Sequence, residues 1–300
     1  MKRKLVRQGA ATLMVSLPSK WIKQHNLIKG SEVDIEPVNK NLMVSAKILN
    51  IKSETEINLI NLTESSIRTL ITNTYRSGYD KILVNFDKEE QFKILREVIT
   101  SRLIGFEIIK RGKNVCTVEN ITEPSSEQFD VLVKKIFFNI SMFIDMTESR
   151  MKGKDAEEDY HEMAERIQKY DNFCRRVISK GKFKQQKSEF IWTFLALLIH
   201  AYRELYHMNK LLDKKPKISV KTFELLENTR EIFENVKKAY LEKKVDYLAA
   251  VHEQEKDFLY ERGYSLLQQK TGKENLIIYH LMVCIRELYQ SNSPLSGFLM

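Results

Sequence analysis

The spacing of apolar residues changes twice along this chain, and that change limits its possible folds more than any other feature. Residues 1 to 47 alternate with period two: Leu13, Val15 and Leu17 face one way, Thr12, Met14 and Ser16 the other. Val33 and Ile35 alternate with Glu32, Asp34 and Glu36, and Leu42, Val44 and Ala46 share a face. Between these strands, Ser19 to Leu27 reads as a short helix after Pro18, closed at Lys29-Gly30, where glycine can take φ > 0. The order is β-β-α-β-β. So short a unit cannot cover its own apolar faces, because domains below ~60 residues are marginal alone. A second copy is the cheapest cover.

Residues 48 to 122 alternate strands with helices. Ile48 to Ile51 and Ile57 to Leu62 read as extended, Ser65 to Arg76 as a helix closed by Ser77-Gly78, and Lys81 to Phe86 as a strand. A second helix is expected over Lys88 to Leu103, followed by Gly105 and strands at Phe106 to Lys110 and Val115 to Glu119. This is the pattern of a small α/β layer.

From Ser126 onward every segment has helical spacing. Six helices are expected, over 127–151, 155–180, 186–214, 218–244, 246–270 and 273–291. Their short connections imply antiparallel neighbours in a bundle. Arg203-Glu204-Leu205-Tyr206-x-x-Asn209 recurs as Arg286-Glu287-Leu288-Tyr289-x-x-Asn292, 83 residues later. Asp171-Asn172-Phe173-Cys174-Arg175-Arg176 has an approximate partner in Asp257-Phe258-Leu259-Tyr260-Glu261-Arg262, 86 residues on. Two matches at similar offsets point to a duplicated three-helix unit.

The formal charge of +9 is concentrated. Lys2, Arg3, Lys4, Arg7, Lys20, Lys23 and Lys29 occur before the first acid, Glu32. An acid-free basic stretch on a two-fold module is suited to neutralising DNA phosphates. Gln8 to Thr12 forms a turn of small residues that lets backbone approach backbone. The alternative is that the charges protect a strand edge from pairing. Cys116, Cys174 and Cys284 stand far apart, which argues against a disulfide framework or thiolate zinc site and suits a reducing cytoplasm. The basic start lacks an apolar signal core, and the longest apolar run, Phe190 to Ile199, is too short to span a bilayer. No membrane insertion is expected.

Val6-Arg7-x-Gly9-x-x-Thr12-Leu13-x-Val15-Ser16-Leu17-Pro18-x-x-Trp21, followed by Leu27-x-x-Gly30-x-x-Val33, resembles the SpoVT–AbrB swapped-hairpin DNA-binding domain, in the version fused to archaeal PhoU-like regulators. Tyr75-x-x-Gly78-Tyr79-Asp80-x-Ile82 and Leu103-Ile104-Gly105-Phe106-Glu107 are similar to the linker region of those proteins. The resemblance continues into a duplicated helical PhoU domain. It implies a multidomain α+β chain: a dimeric swapped-hairpin β-barrel over 1–47, a small α/β region over 48–122, and an all-α bundle of two three-helix repeats over 123–300. It further implies DNA contact by Lys2, Arg3, Lys4, Arg7, Thr12, Lys20 and Lys23.

PhoU-like repeats carry an acidic E/DxxxD signature that can hold divalent or ferric ions. Its glutamates fall on Glu204 and Glu287, but Met208 and Ser291 stand where the aspartates belong. Asp171, Glu253 and Asp257 lie on the preceding helices, and His200, Glu204 and His207 share one helical face. These seven residues are the candidate metal ligands; the alternative is a polar seam of hydrogen bonds and ion pairs. The remaining histidines, His25, His161, His252 and His280, are isolated in sequence. No phosphate-binding loop, dinucleotide fingerprint or nucleophile elbow occurs, so no enzyme is expected and no cofactor is required.

The expectation is a cytoplasmic homodimeric transcription regulator of phosphate uptake. A second reading is an adaptor that docks a phosphate transporter component or sensor kinase, with residues 1–47 serving dimerisation. A third, an antitoxin-like autoregulator, fits poorly with so large a helical half.

Overall fold

The computed structural model describes residues 2–9, 11–38, 41–46, 52–122, 127–154, 158–183 and 187–300. The chain divides into two compact units, Met1–Lys52 and Ser53–Met300. Of the expected elements, the strand over Ile48 to Ile51 and Ala10 of the first turn lie outside the described residues.

In the first unit, β1 (Val6–Gln8) pairs antiparallel with β2 (Thr12–Met14), with Gly9 at φ 74° between them. Strands β3 (Val33–Val38) and β4 (Asn41–Ala46) form a second antiparallel pair. Its register sets Val33 opposite Ala46 and Ile35 opposite Val44, so the alternating apolar residues share one face. The two pairs are separate two-stranded sheets, and no closed barrel forms among the described residues of the single chain. Helix α1 (Ser19–Gln24) is shorter than the spacing predicts. Asn26 takes the left-handed conformation at φ 49°, and Leu27 N–H reaches back to Ile22 O at 3.0 Å. That closure ends the helix before Gly30 can.

The second unit begins with a four-stranded sheet in the order β5 (Glu54–Asn58), β6 (Lys81–Asn85), β8 (Val115–Asn120), β7 (Phe106–Arg111). β5 and β6 are parallel, joined through α2 (Glu64–Arg76); the other pairings are antiparallel. Thr63 caps α2 by accepting the Ser66 N–H, and α3 (Glu89–Arg102) follows β6. Ile67, Ile71 and Tyr75 of α2 and Leu95, Val98 and Ile99 of α3 are buried with Ile82, Val84, Phe106 and Val118 of the sheet in one apolar cluster.

Gly105, at φ 78°, makes the tight entry into β7, and a Cβ there would sit 1.8 Å from Thr122 O. Gly105→Ala is therefore expected to cost about 2–4 kcal/mol, from left-handed strain and overlap with backbone. Thermal unfolding would measure it, and an unchanged midpoint would refute the close approach.

Helices α4 (Gln128–Met151), α5 (Tyr160–Ser179), α6 (Ser188–Leu212), α7 (Val220–Glu242), α8 (Asp246–Glu255), α9 (Tyr264–Gln269), α10 (Gly272–Gln290) and α11 (Asn292–Leu299) complete the unit. A π-helical stretch, Lys256–Gly263, joins α8 to α9, so the helix expected over 246–270 is one rod with a wider turn inside it. All these helices except α9 and α11 are separately legible as apolar stripes, and their buried faces form a single core. Asn209 of the repeated motif donates to Thr147 Oγ1 at 2.7 Å, and its counterpart Asn292 donates to Leu248 O at 3.1 Å. Both tie one helix to another.

Candidate functional site

In the first unit the cations expected to meet DNA are all on the surface. Lys2, Arg3, Lys4 and Arg7 precede or lie on β1, Thr12 opens β2, and Lys20 and Lys23 lie on α1; all seven are exposed. Among the residues of this unit whose exposure is described, none is buried. Leu13, opposite Arg7, is 61% exposed, and Ile35 and Leu42 are 58% and 69% exposed although the β3–β4 register gathers them onto one face. A hairpin pair with bare apolar faces is not stable in water by itself. Covering surface is required from outside the unit.

In the second unit the seven candidate metal ligands do not gather into one shell. Glu204 on α6 accepts from His280 Nδ1 on α10 at 2.8 Å, and His200 lies 3.9 Å from Glu287 across the same helix pair. The His207 ring stacks on His280 with centroids 6.0 Å apart. Burial holds His207 below its ordinary range, Glu204 pulling the other way and His280 adding to the depression. His280, isolated in sequence, is thus the residue that joins α10 to α6 at this seam. Asp257 is paired with Arg262, Glu253 with Lys256, and Asp171 is buried elsewhere. Among the described residues no three His, Cys, Asp or Glu side chains are set to hold a metal ion. The contacts are those of a polar seam. The three cysteines are buried and free, and burial pushes the Cys116 thiol up to about 11, so it offers no thiolate at neutral pH.

The residues that sequence reasoning missed are arginines where the α/β layer meets α5. Arg76 of α2 donates to Asp171 at 2.9 Å and to Asn172 Oδ1 at 2.8 Å, and Arg175 donates to Asp171 at 2.9 Å. Arg176 is buried, donates to Tyr79 O at 2.7 Å, Tyr75 O at 3.1 Å and Asp80 at 2.6 Å, and lies over the rings of Tyr75 and Phe106. Adjacent arginines on a helix read as a solvated face, and only the docking of a second layer makes them interior.

Burial alone would raise the Asp80 carboxyl, but the hydrogen bond and charge of Lys180, the Ser53 amide and Arg176 outweigh it and hold the group down at about 2. Its folded value lies below the ~3.9 of an unfolded chain, so its stabilisation is present above about pH 4 and lost as pH falls toward 2. Asp80→Asn is expected to be less stable at neutral pH and to lose less stability between about pH 4 and pH 2 than the wild type. Denaturant titrations at several pH values would check this, and parallel curves would exclude it.

No helix among the described residues is long and apolar enough to cross a membrane. No family model matches the chain, and neither curated proteins nor solved structures give a match.

Proposed function

We propose that this chain is a DNA-binding transcription regulator that acts as a homodimer, with residues 1–47 on DNA and the second unit receiving a signal. One observation carries the reading: the first unit combines seven cations and no acid before Glu32 with apolar strand faces that nothing in the unit buries. A second copy covers those faces by symmetry and doubles the positive charge, which is what an approximately palindromic duplex demands. Exchange of hairpins between the copies into one barrel is the arrangement implied by the resemblance to SpoVT–AbrB domains. The link to phosphate uptake rests on the PhoU resemblance alone, as does metal at the helical repeats.

Electrophoretic shift of the full chain on duplex DNA across a salt series tests the proposal. Affinity that falls steeply with salt and depends on Lys2, Arg3, Lys4 and Arg7 supports it. Absence of a shift at any salt, together with capture of a transporter component or sensor kinase, would instead favour the adaptor reading.

A further inference from the structure

Arginine is concentrated in one recess of the second unit, and the interior contacts already described account for only part of it. A cleft of about 420 Å³ opens between α2 of the α/β layer and helices α5 and α6. Its walls carry Arg68, Arg76, Arg102, Arg175 and Arg203 against two carboxylates, Glu165 and Asp171. Asp171 is spent on Arg76 and Arg175. Arg68 is paired with Glu64 and Glu97 at its outer side, yet its Nη1 is buried without a hydrogen-bond partner. Arg102 also has a buried Nε without a partner, and neither Arg102 nor Arg203 forms an ion pair among the described residues.

Unpaired buried guanidinium nitrogens are costly, because a lost hydrogen bond is not replaced by water. The like charges also oppose one another. Burial, then the charge of Arg68, holds Arg102 below its ordinary range; burial does the same to Arg76, where attraction to Asp171 is countered by Arg175 and Arg203. An oxyanion in the cleft would relieve that repulsion and give Arg102 and Arg203 the counter-charge that no ion pair supplies. Guanidinium forks match phosphate oxygens in pairs. The excess of arginine over acid favours an anion of several charges. The cleft is also of the size that takes small organic ligands, well beyond a single phosphate ion.

We propose that this cleft binds a small anion bearing a pyrophosphate group, held chiefly by Arg102 and Arg203. The site lies wholly in the second unit and does not rest on DNA binding by the first.

Calorimetric titration of the full chain with sodium pyrophosphate, and separately with ADP, at fixed pH and ionic strength tests it. Binding of either at one per chain is expected, and the pair distinguishes the free ion from a nucleotide source. Arg102→Gln and Arg203→Gln should each weaken that binding about tenfold or more. Arg203 is exposed, so its variant keeps the test valid even if Arg102→Gln disturbs folding. Two controls should keep full affinity: Lys221→Gln, on α7 and outside the cleft, and the glutamine variant of Lys2, Arg3, Lys4 and Arg7. The proposal is overturned if neither ligand binds, if citrate binds as tightly as pyrophosphate, if Arg203→Gln leaves the affinity unchanged, or if the N-terminal variant abolishes it.

Discussion

Replacing Asp171 with alanine is expected to lower the unfolding free energy of the second unit by about 3–5 kcal/mol. The carboxylate is fully buried and accepts from Arg76 of the α/β layer and from Arg175 of its own helix. Truncation leaves the Arg175 guanidinium, itself 5% exposed on its side chain, with an uncompensated charge in the interior. Breaking one partner of a buried pair costs far more than the pair contributes net, because the survivor has lost its water as well as its counter-ion. Surface pairs such as Lys256–Glu253 should by contrast move stability by under about 1 kcal/mol. Asp171→Asn, which keeps one acceptor, should fall between. Urea unfolding followed by helical circular dichroism would measure the series, and a loss below about 1 kcal/mol for alanine would show that Asp171 does not carry the joint.

Changing Lys2, Arg3, Lys4 and Arg7 together to glutamine is expected to weaken DNA binding by about two to three orders of magnitude near 0.1 M salt. A cation seated on a phosphate releases condensed counterions, so each phosphate left without its cation should make the plot of log affinity against log salt shallower by about 0.9. In a two-fold dimer each substitution acts twice. All four side chains are exposed, so the variant should retain the fold of the wild type. Gel-shift or anisotropy titrations at four salt concentrations give both quantities. An unchanged slope would remove these residues from the interface and, with them, the main support for the regulator reading.

Much of the architecture is legible in the sequence because it rests on local periodicity. The α2 helix, expected from Ser65, starts at Glu64, and β6, β7 and β8 lie within a residue of their expected bounds. The strand expected over Ile57 to Leu62 is instead found earlier, at Glu54–Asn58, with a turn at Ile60 and Asn61. Where local rules compete, sequence and structure diverge: Asn26 closes α1 ahead of Gly30, and Asn292–Leu299 forms a helix despite Pro294 and Gly297. Pro294 sits in the first turn, where a missing N–H is tolerated. The site is less legible, because contacts across elements leave no periodic trace. Spacing shows that His200, Glu204 and His207 share a face, but not that His280 arrives from α10 to take Glu204. The duplication misleads in the same way. Asp171 and Asp257 occupy matching places, yet Arg76 reaches only Asp171, while Asp257 is left at the surface with Arg262.

The joint around Arg176 has a practical consequence for cutting the gene into fragments. A tidy division by composition would fall after Thr122, separating strands and sheet from helices. A helical piece begun there would expose Arg176 without the Tyr75 and Tyr79 carbonyls and Asp80, and would leave Asn172 without the Arg102 carbonyl. The severed surfaces are polar and charged on both sides, so such a piece would dissolve yet hold the Arg176 guanidinium and the Lys180 ammonium without the Asp80 that pairs with both. The natural scissors mark lies near Lys52, and everything after it travels as one piece.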